Sequence, residues 1–209
     1  MKVELTAITP NAEAHCERAA RDCYDSIKKM KNPDEASNLV KACTVADHLT
    51  INGHASATFR ITEVSRALMA QITRHRTACF SIRSQRYVDE EGFNFVTPSS
   101  ILKNDTANTI YVSAMEYLDF VYDELKKAGI PREDARMVLP NSAHTTINMT
   151  MSLEGWLHYL RRRMDNKAQQ EIRDLAFEQY RLLHKECPRI INEETIMAPS
   201  KLKIKWENV

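Results

Sequence analysis

Residues 74–87 read RHRTACFSIRSQRY: four arginines, one histidine and three serines or threonines, without an acid. Guanidinium forks grip phosphate oxygens two at a time, so this composition suits a phosphorylated or otherwise anionic small molecule. Arg74, His75 and Arg76 come first; Arg83, Ser84, Gln85 and Arg86 follow after a short gap. Like charges this close repel, a cost that an anionic ligand offsets. Extended backbone here would put Arg83 and Gln85 on one side and Ser84 and Arg86 on the other, pairing a hydroxyl with a guanidinium. A plainer reading also fits. The end of a helix carries partial negative charge and favours each cation by about 0.3–1 kcal/mol. Ser84 has no base beside it, only Arg83 and Gln85, so it positions a ligand rather than attacking one. Cys79 reads as a packing thiol.

The rest of the chain makes this cluster local. Net charge is +1 over 209 residues, far from the basic excess of a general nucleic-acid binder. Glycine occurs only at Gly53, Gly92, Gly129 and Gly155, which excludes a glycine-rich phosphate loop; side chains must hold any phosphate. The five cysteines are odd in number and lack C-x-x-C spacing, so neither a disulfide framework nor a metal site is expected. Reduced thiols, no apolar run of about 18 residues and no signal-like opening lead to an expectation of a soluble, cytoplasmic chain.

Positioning the cluster falls to elements legible from periodicity. Residues 2–9, 56–62 and 144–151 alternate or are β-branched as strands are, and residues 93–98 continue or pair with the extended stretch after Cys79. Helices are expected at 11–26 with Asn11 as N-cap, around 36–43, and at 63–76 capped by Thr62. Further helices are expected at 105–128 ending on Gly129, at 131–139 with Pro131 in the first turn, at 152–164 and at 166–187. The tail from residue 189 receives no element. Few, irregular strands among many helices indicate an α+β fold, a mixed or antiparallel sheet with several packed helices in a single domain over residues 1–209. Trp156 and Tyr159 have core spacing, Arg161 and Arg162 read as solvated, and His15, His54, His144 and His184 read as structural.

The stretch RHRTACFSIRS, Arg-His-Arg then seven residues then Ser, resembles the signature of flavin-dependent thymidylate synthases, and QRY continues it as that family's S-x-R-Y would. Further blocks stand in the family's order: ARDCY at 20–24, HLTINGH at 48–54, the run FRITEVSRALMAQ into the motif, ARMVLP at 135–140 and AQQEIR at 168–173. The resemblance implies that dUMP becomes dTMP, with methylenetetrahydrofolate as carbon donor and NADPH as reductant through FAD. It implies a homotetramer with sites at subunit interfaces. By the family's pattern Arg74, His75 and Arg76 hold FAD together with Thr50, Ser152 and His158, and His48 lies in the flavin or folate vicinity. Gln71, Arg74, Arg83, Ser84, Gln85, Arg86 and Arg136 fall on dUMP-binding positions. Arg163 matches the arginine beside the pyrimidine that favours ionisation at N3, the catalytic assignment.

Four positions depart from the pattern. Ile82 stands where an acid is common, Glu154 where an arginine against FAD is common, Lys167 where a histidine is, and Gly53 where a glutamate is. Two other classes remain open on residues alone. One is a non-catalytic nucleotide- or RNA-binding module using residues 74–86, although only Phe80 and Tyr87 supply interleaved aromatics. The other is a helical interaction protein with a basic face. Neither accounts for the later blocks.

Overall fold

The computed structural model describes residues 1–198. Its elements run β1 (Lys2–Ile8), α1 (Ala12–Asp22), α2 (Asn38–Val45), β2 (Ser56–Ser65), α3 (Arg66–Ile72), β3 (Cys79–Ile82), α4 (Ser99–Leu102), α5 (Asp105–Lys127), α6 (Arg132–Ala135), β4 (His144–Ser152), α7 (Leu153–Arg163), α8 (Gln170–Glu186) and α9 (Glu193–Met197). The strands form one sheet in the order β1-β2-β4-β3. The register is antiparallel throughout. Thr9 N–H reaches the Ser56 carbonyl at 2.9 Å, whereas Lys2 pairs with Glu63 at the far end of β2. Thr58 and Thr150 share a 2.9 Å hydroxyl contact, and Arg66 N–H meets the Ala143 carbonyl at 3.2 Å. Arg83 N–H meets the Thr146 carbonyl at 2.9 Å. The α+β expectation holds.

The residues divide into two compact units. The first is Met1–Lys2, Ile61–Arg74 and Ser81–Ile147. Its core gathers Ile61, Val64, Leu68 and Ile72, with Met115 and Tyr122 from α5. The second is Val3–Arg60, His75–Phe80 and 148–198 of the described residues. There Ala57, Phe59, Met149 and Met151 alternate inward along β2 and β4, the period-two pattern of a half-buried sheet. Trp156 on α7 donates from Nε1 to the Ala57 carbonyl at 3.1 Å and meets Phe59 edge-on at 5.0 Å. Helices α8 and α9 pack on α7. Trp156 and Tyr159 are fully buried, as their spacing indicated.

Several boundaries differ from expectation for identifiable reasons. The helix expected from residue 63 begins at Arg66, because the β-branched run Ile61, Thr62 and Val64 keeps β2 extended. Ser65, not Thr62, caps it, accepting the Leu68 N–H at 2.9 Å. Val64 faces the core from the strand, so it satisfied the helical period by coincidence. Asn11 is left-handed (φ 48) and makes no side-chain cap; its amide donates to Asp34 at 2.9 Å. Residues 93–98 contribute only an isolated antiparallel bridge, Phe95 to Ala143. The helix after Pro131 is one turn, continued by a 3-10 turn Arg136–Val138. Gly129 closes α5 as expected: its φ is 83, and Ile130 N–H reaches back to the Leu125 carbonyl at 3.0 Å. The tail holds α9 up to Met197, and the remainder of it lies outside the described residues. Among the described residues no helix is long and apolar enough to cross a membrane.

Candidate functional site

Seven of the predicted site residues belong to the first unit: Gln71, Arg74, Arg83, Ser84, Gln85, Arg86 and Arg136. Gln71 lies on the last turn of α3, and Arg74 stands just past its end, exposed and without a side-chain partner among the described residues. β3 stops at Ile82, and the chain then turns: Val88 N–H bonds the Ser84 carbonyl at 3.0 Å and Arg86 N–H the Ser84 hydroxyl at 3.3 Å. The expected alternation of Arg83 to Arg86 is therefore replaced by a turn. The acids absent from the segment return through the fold. Arg83 meets Glu90 at 3.1 Å and donates to the Asp89 carbonyl at 3.3 Å. Arg86 pairs with Glu133 at 2.8 Å, and Arg136 donates to the Glu133 carbonyl at 3.1 Å.

Glu90 is 2% exposed, and burial raises its pKa against the pull of Arg83 and Arg66. Burial lowers that of Arg66, opposed by Glu90 and reinforced by Arg136 and Arg83. Arg66 and Arg83 thus share the one buried carboxylate of Glu90, and Arg66 also feels the positive charge of Arg136. Gln85 is buried, and its Nε2 has no partner among the described residues. This arrangement can receive an anion.

The second unit carries His48, Thr50, His75, Arg76, Ser152, His158 and Arg163. His48 and Thr50 flank the start of a 3-10 turn and line a cavity of about 650 Å³ together with Arg21, Cys23, Tyr24 and Lys29. That volume lies in the range of about 300–1,000 Å³ common for small-molecule sites. Arg76 is exposed and without a side-chain partner among the described residues. His158 projects from α7 into solvent, and Ser152 caps that helix, accepting the Gly155 N–H at 3.2 Å. Arg163, at the end of α7, donates from Nε to His75 Nε2 at 2.9 Å. Burial, then the charges of Arg163 and Arg162, push the His75 pKa down to about 4. His75 is thus neutral at ordinary pH, and since Nε2 accepts, its proton sits on Nδ1. Tyr159 meets the His75 ring edge-on at 4.9 Å, and burial pushes its phenol pKa up.

Residues 4–189 match the family described as "Thymidylate synthase complementing protein". A flavin-dependent thymidylate synthase of Geobacter sulfurreducens is 38% identical over 201 residues, spanning 92% of this chain and 86% of the relative. Another, from Clostridium tetani, is 32% identical over 211 residues, 91% of this chain and 85% of the relative. This chain belongs to the thymidylate synthase complementing protein family. In fold it is similar to the crystal structure of thymidylate synthase X from Helicobacter pylori with FAD and dUMP. The TM-score is 0.77 at 23% identity, covering 94% of this chain and 99% of that one.

Two departures from the family's sequence pattern sit against each other. A Cβ added at Gly53 would lie 3.3 Å from the Glu154 carboxylate. A glutamate at 53 would crowd and repel that group, so the small residue at 53 suits the acid at 154. Some readings are corrected. Arg161 is 7% exposed and donates to the Thr195 carbonyl at 2.7 and 3.3 Å and to Asp47 at 3.4 Å, so it is a buried structural cation. Cys79 is exposed rather than packed. His184 is structural as read, bonding the Ile191 carbonyl at 2.6 Å and stacking on Tyr180. Sequence reasoning missed Arg66, Glu90 and the cavity wall at Cys23 and Tyr24. The ARDCY block signalled that wall, and the acidic run Asp89-Glu90-Glu91 just after Tyr87 signalled Glu90.

Proposed function

We propose that this chain is a flavin-dependent thymidylate synthase, a methyltransferase making dTMP from dUMP with methylenetetrahydrofolate as carbon donor and NADPH as reductant. The observation that carries the reading is Arg163, held by a neutral His75 at the end of α7. A guanidinium against the pyrimidine edge stabilises negative charge as N3 ionises and C5 becomes nucleophilic. The mutual repulsion of Arg66, Arg83 and Arg136 supports binding of the phosphate of dUMP in the first unit, with Gln71, Arg74, Ser84, Gln85 and Arg86 as further contacts.

The second unit suits FAD. Thr50 and Ser152 offer hydroxyls, Arg76 an exposed guanidinium, and the cavity bearing His48 and Thr50 has the volume of a ligand site. Arg74, His75 and His158 complete the set by the family's pattern. FAD, when bound, supplies the hydride drawn from NADPH. The match over residues 4–189 supports one such domain per chain. The enzyme is cytoplasmic and homotetrameric, and its partners are small molecules rather than nucleic acid or membrane.

The test is the absorbance spectrum of the purified protein with added FAD, before and after NADPH and dUMP. Flavin absorbance that bleaches with NADPH, followed by tritium release from C5-labelled dUMP, is expected. A colourless protein that takes up no FAD and releases no tritium would end the reading.

A further inference from the structure

We propose that His75 is a positioning residue, whose Nε2 lone pair fixes the orientation of Arg163. This deepens the proposed function and rests on it. The last turn of α7 carries Arg161, Arg162 and Arg163 in succession, about 100° apart around the helix. Each therefore takes a different course. Arg161 turns inward to the Thr195 carbonyl, Arg162 is exposed, and Arg163 is half-buried with its Nε–H 2.9 Å from His75 Nε2.

A guanidinium offers two bidentate edges, Nε with one Nη and the pair of Nη groups. The imidazole occupies Nε. A planar pair of acceptors is what the Nη1/Nη2 edge of a guanidinium matches. An ionised pyrimidine N3 beside its carbonyl oxygen is such a pair. The contact also specifies its own proton state. Nε2 accepts only when unprotonated, and burial, then Arg163 and Arg162, disfavour an imidazolium there. Tyr159 limits the ring's freedom, its edge-on contact at 4.9 Å setting the imidazole plane. Arginine is long and rich in rotamers, so an acceptor at one fixed point is what converts it into a directed donor.

His75→Leu removes the acceptor and keeps the bulk; His75→Gln places an amide oxygen near the former Nε2. Three quantities are measured on both: flavin absorbance of the purified protein, dUMP affinity by calorimetry, and tritium release with NADPH and methylenetetrahydrofolate. At saturating FAD, which offsets the loss of one flavin contact, the leucine variant is expected to bind dUMP about tenfold more weakly and lose about 100-fold in kcat, as when a preorganised donor is misplaced. The glutamine variant is expected within about fivefold of wild type on each, because the directed acceptor is restored. Crystal structures give a readout independent of activity: the Arg163 guanidinium stays in place in the glutamine variant and leaves it in the leucine variant. An unmoved Arg163 in the leucine variant overturns the proposal even if the enzyme is active. So does equal impairment of both variants at saturating FAD. A wild-type protein that neither takes up FAD nor releases tritium overturns the proposed function instead.

Discussion

Acid should weaken the fold through His75 by an amount that follows from its environment. In the folded chain its pKa is about 4, against 6.5 for an unperturbed histidine, because of burial and then the neighbouring Arg163 and Arg162. As pH falls, the unfolded chain takes up the proton first. Stability is therefore fully present above pH 6.5 and is lost progressively as pH drops toward 4. At pH 7 both states are mostly neutral. At pH 5 the unfolded residue is about 97% protonated and the native one about 10%, a difference of about 2 kcal/mol. For a chain of this length that corresponds to a melting shift of about 4–8 °C. Arg163 and Tyr159, which face the ring, do not titrate in this window. Urea unfolding at pH 7 and pH 5, at one protein concentration, isolates the effect by comparing wild type with His75→Gln. Wild type should lose about 2 kcal/mol more on acidification, since other titrating groups are common to both. Equal losses, to within about 0.5 kcal/mol, would refute a neutral, desolvated His75.

Arg163→Ala should leave the circular dichroism spectrum unchanged and abolish tritium release from C5-labelled dUMP; an unchanged rate removes Arg163 from the chemistry. Arg161→Met keeps the buried stem but strips the Thr195 carbonyl of its charged donor, and should cost about 3 kcal/mol in urea unfolding. A loss indistinguishable from zero would show that water replaces the guanidinium. Gly129→Ala forces a side chain into a φ of 83 and should cost about 1 kcal/mol, read as a lower melting temperature with α5 otherwise intact.

Much of the local architecture was legible because its causes are local. The inward alternation of Ala57, Phe59 and Ile61 announces β2 without any knowledge of what covers it. Gly129 marks the end of α5 because only glycine enters the left-handed region freely. The helix before Arg74 was drawn too long because Val64 satisfies both a strand and a helix period, and its burial alone cannot distinguish them.

By itself, the sequence determined which chemical groups are available: a cluster of arginines with no acid inside residues 74–87, too little glycine for a backbone phosphate loop, and an ordered series of blocks that identifies the family. Tertiary structure alone decided how those groups are charged and aimed. Glu90 and Glu133 take up Arg83 and Arg86, burial and then Arg163 lower the proton affinity of His75, and Arg161 goes inside while Arg162 stays out. Partner and burial set the protonation and direction of a side chain, and both depend on where distant segments of the chain come to rest.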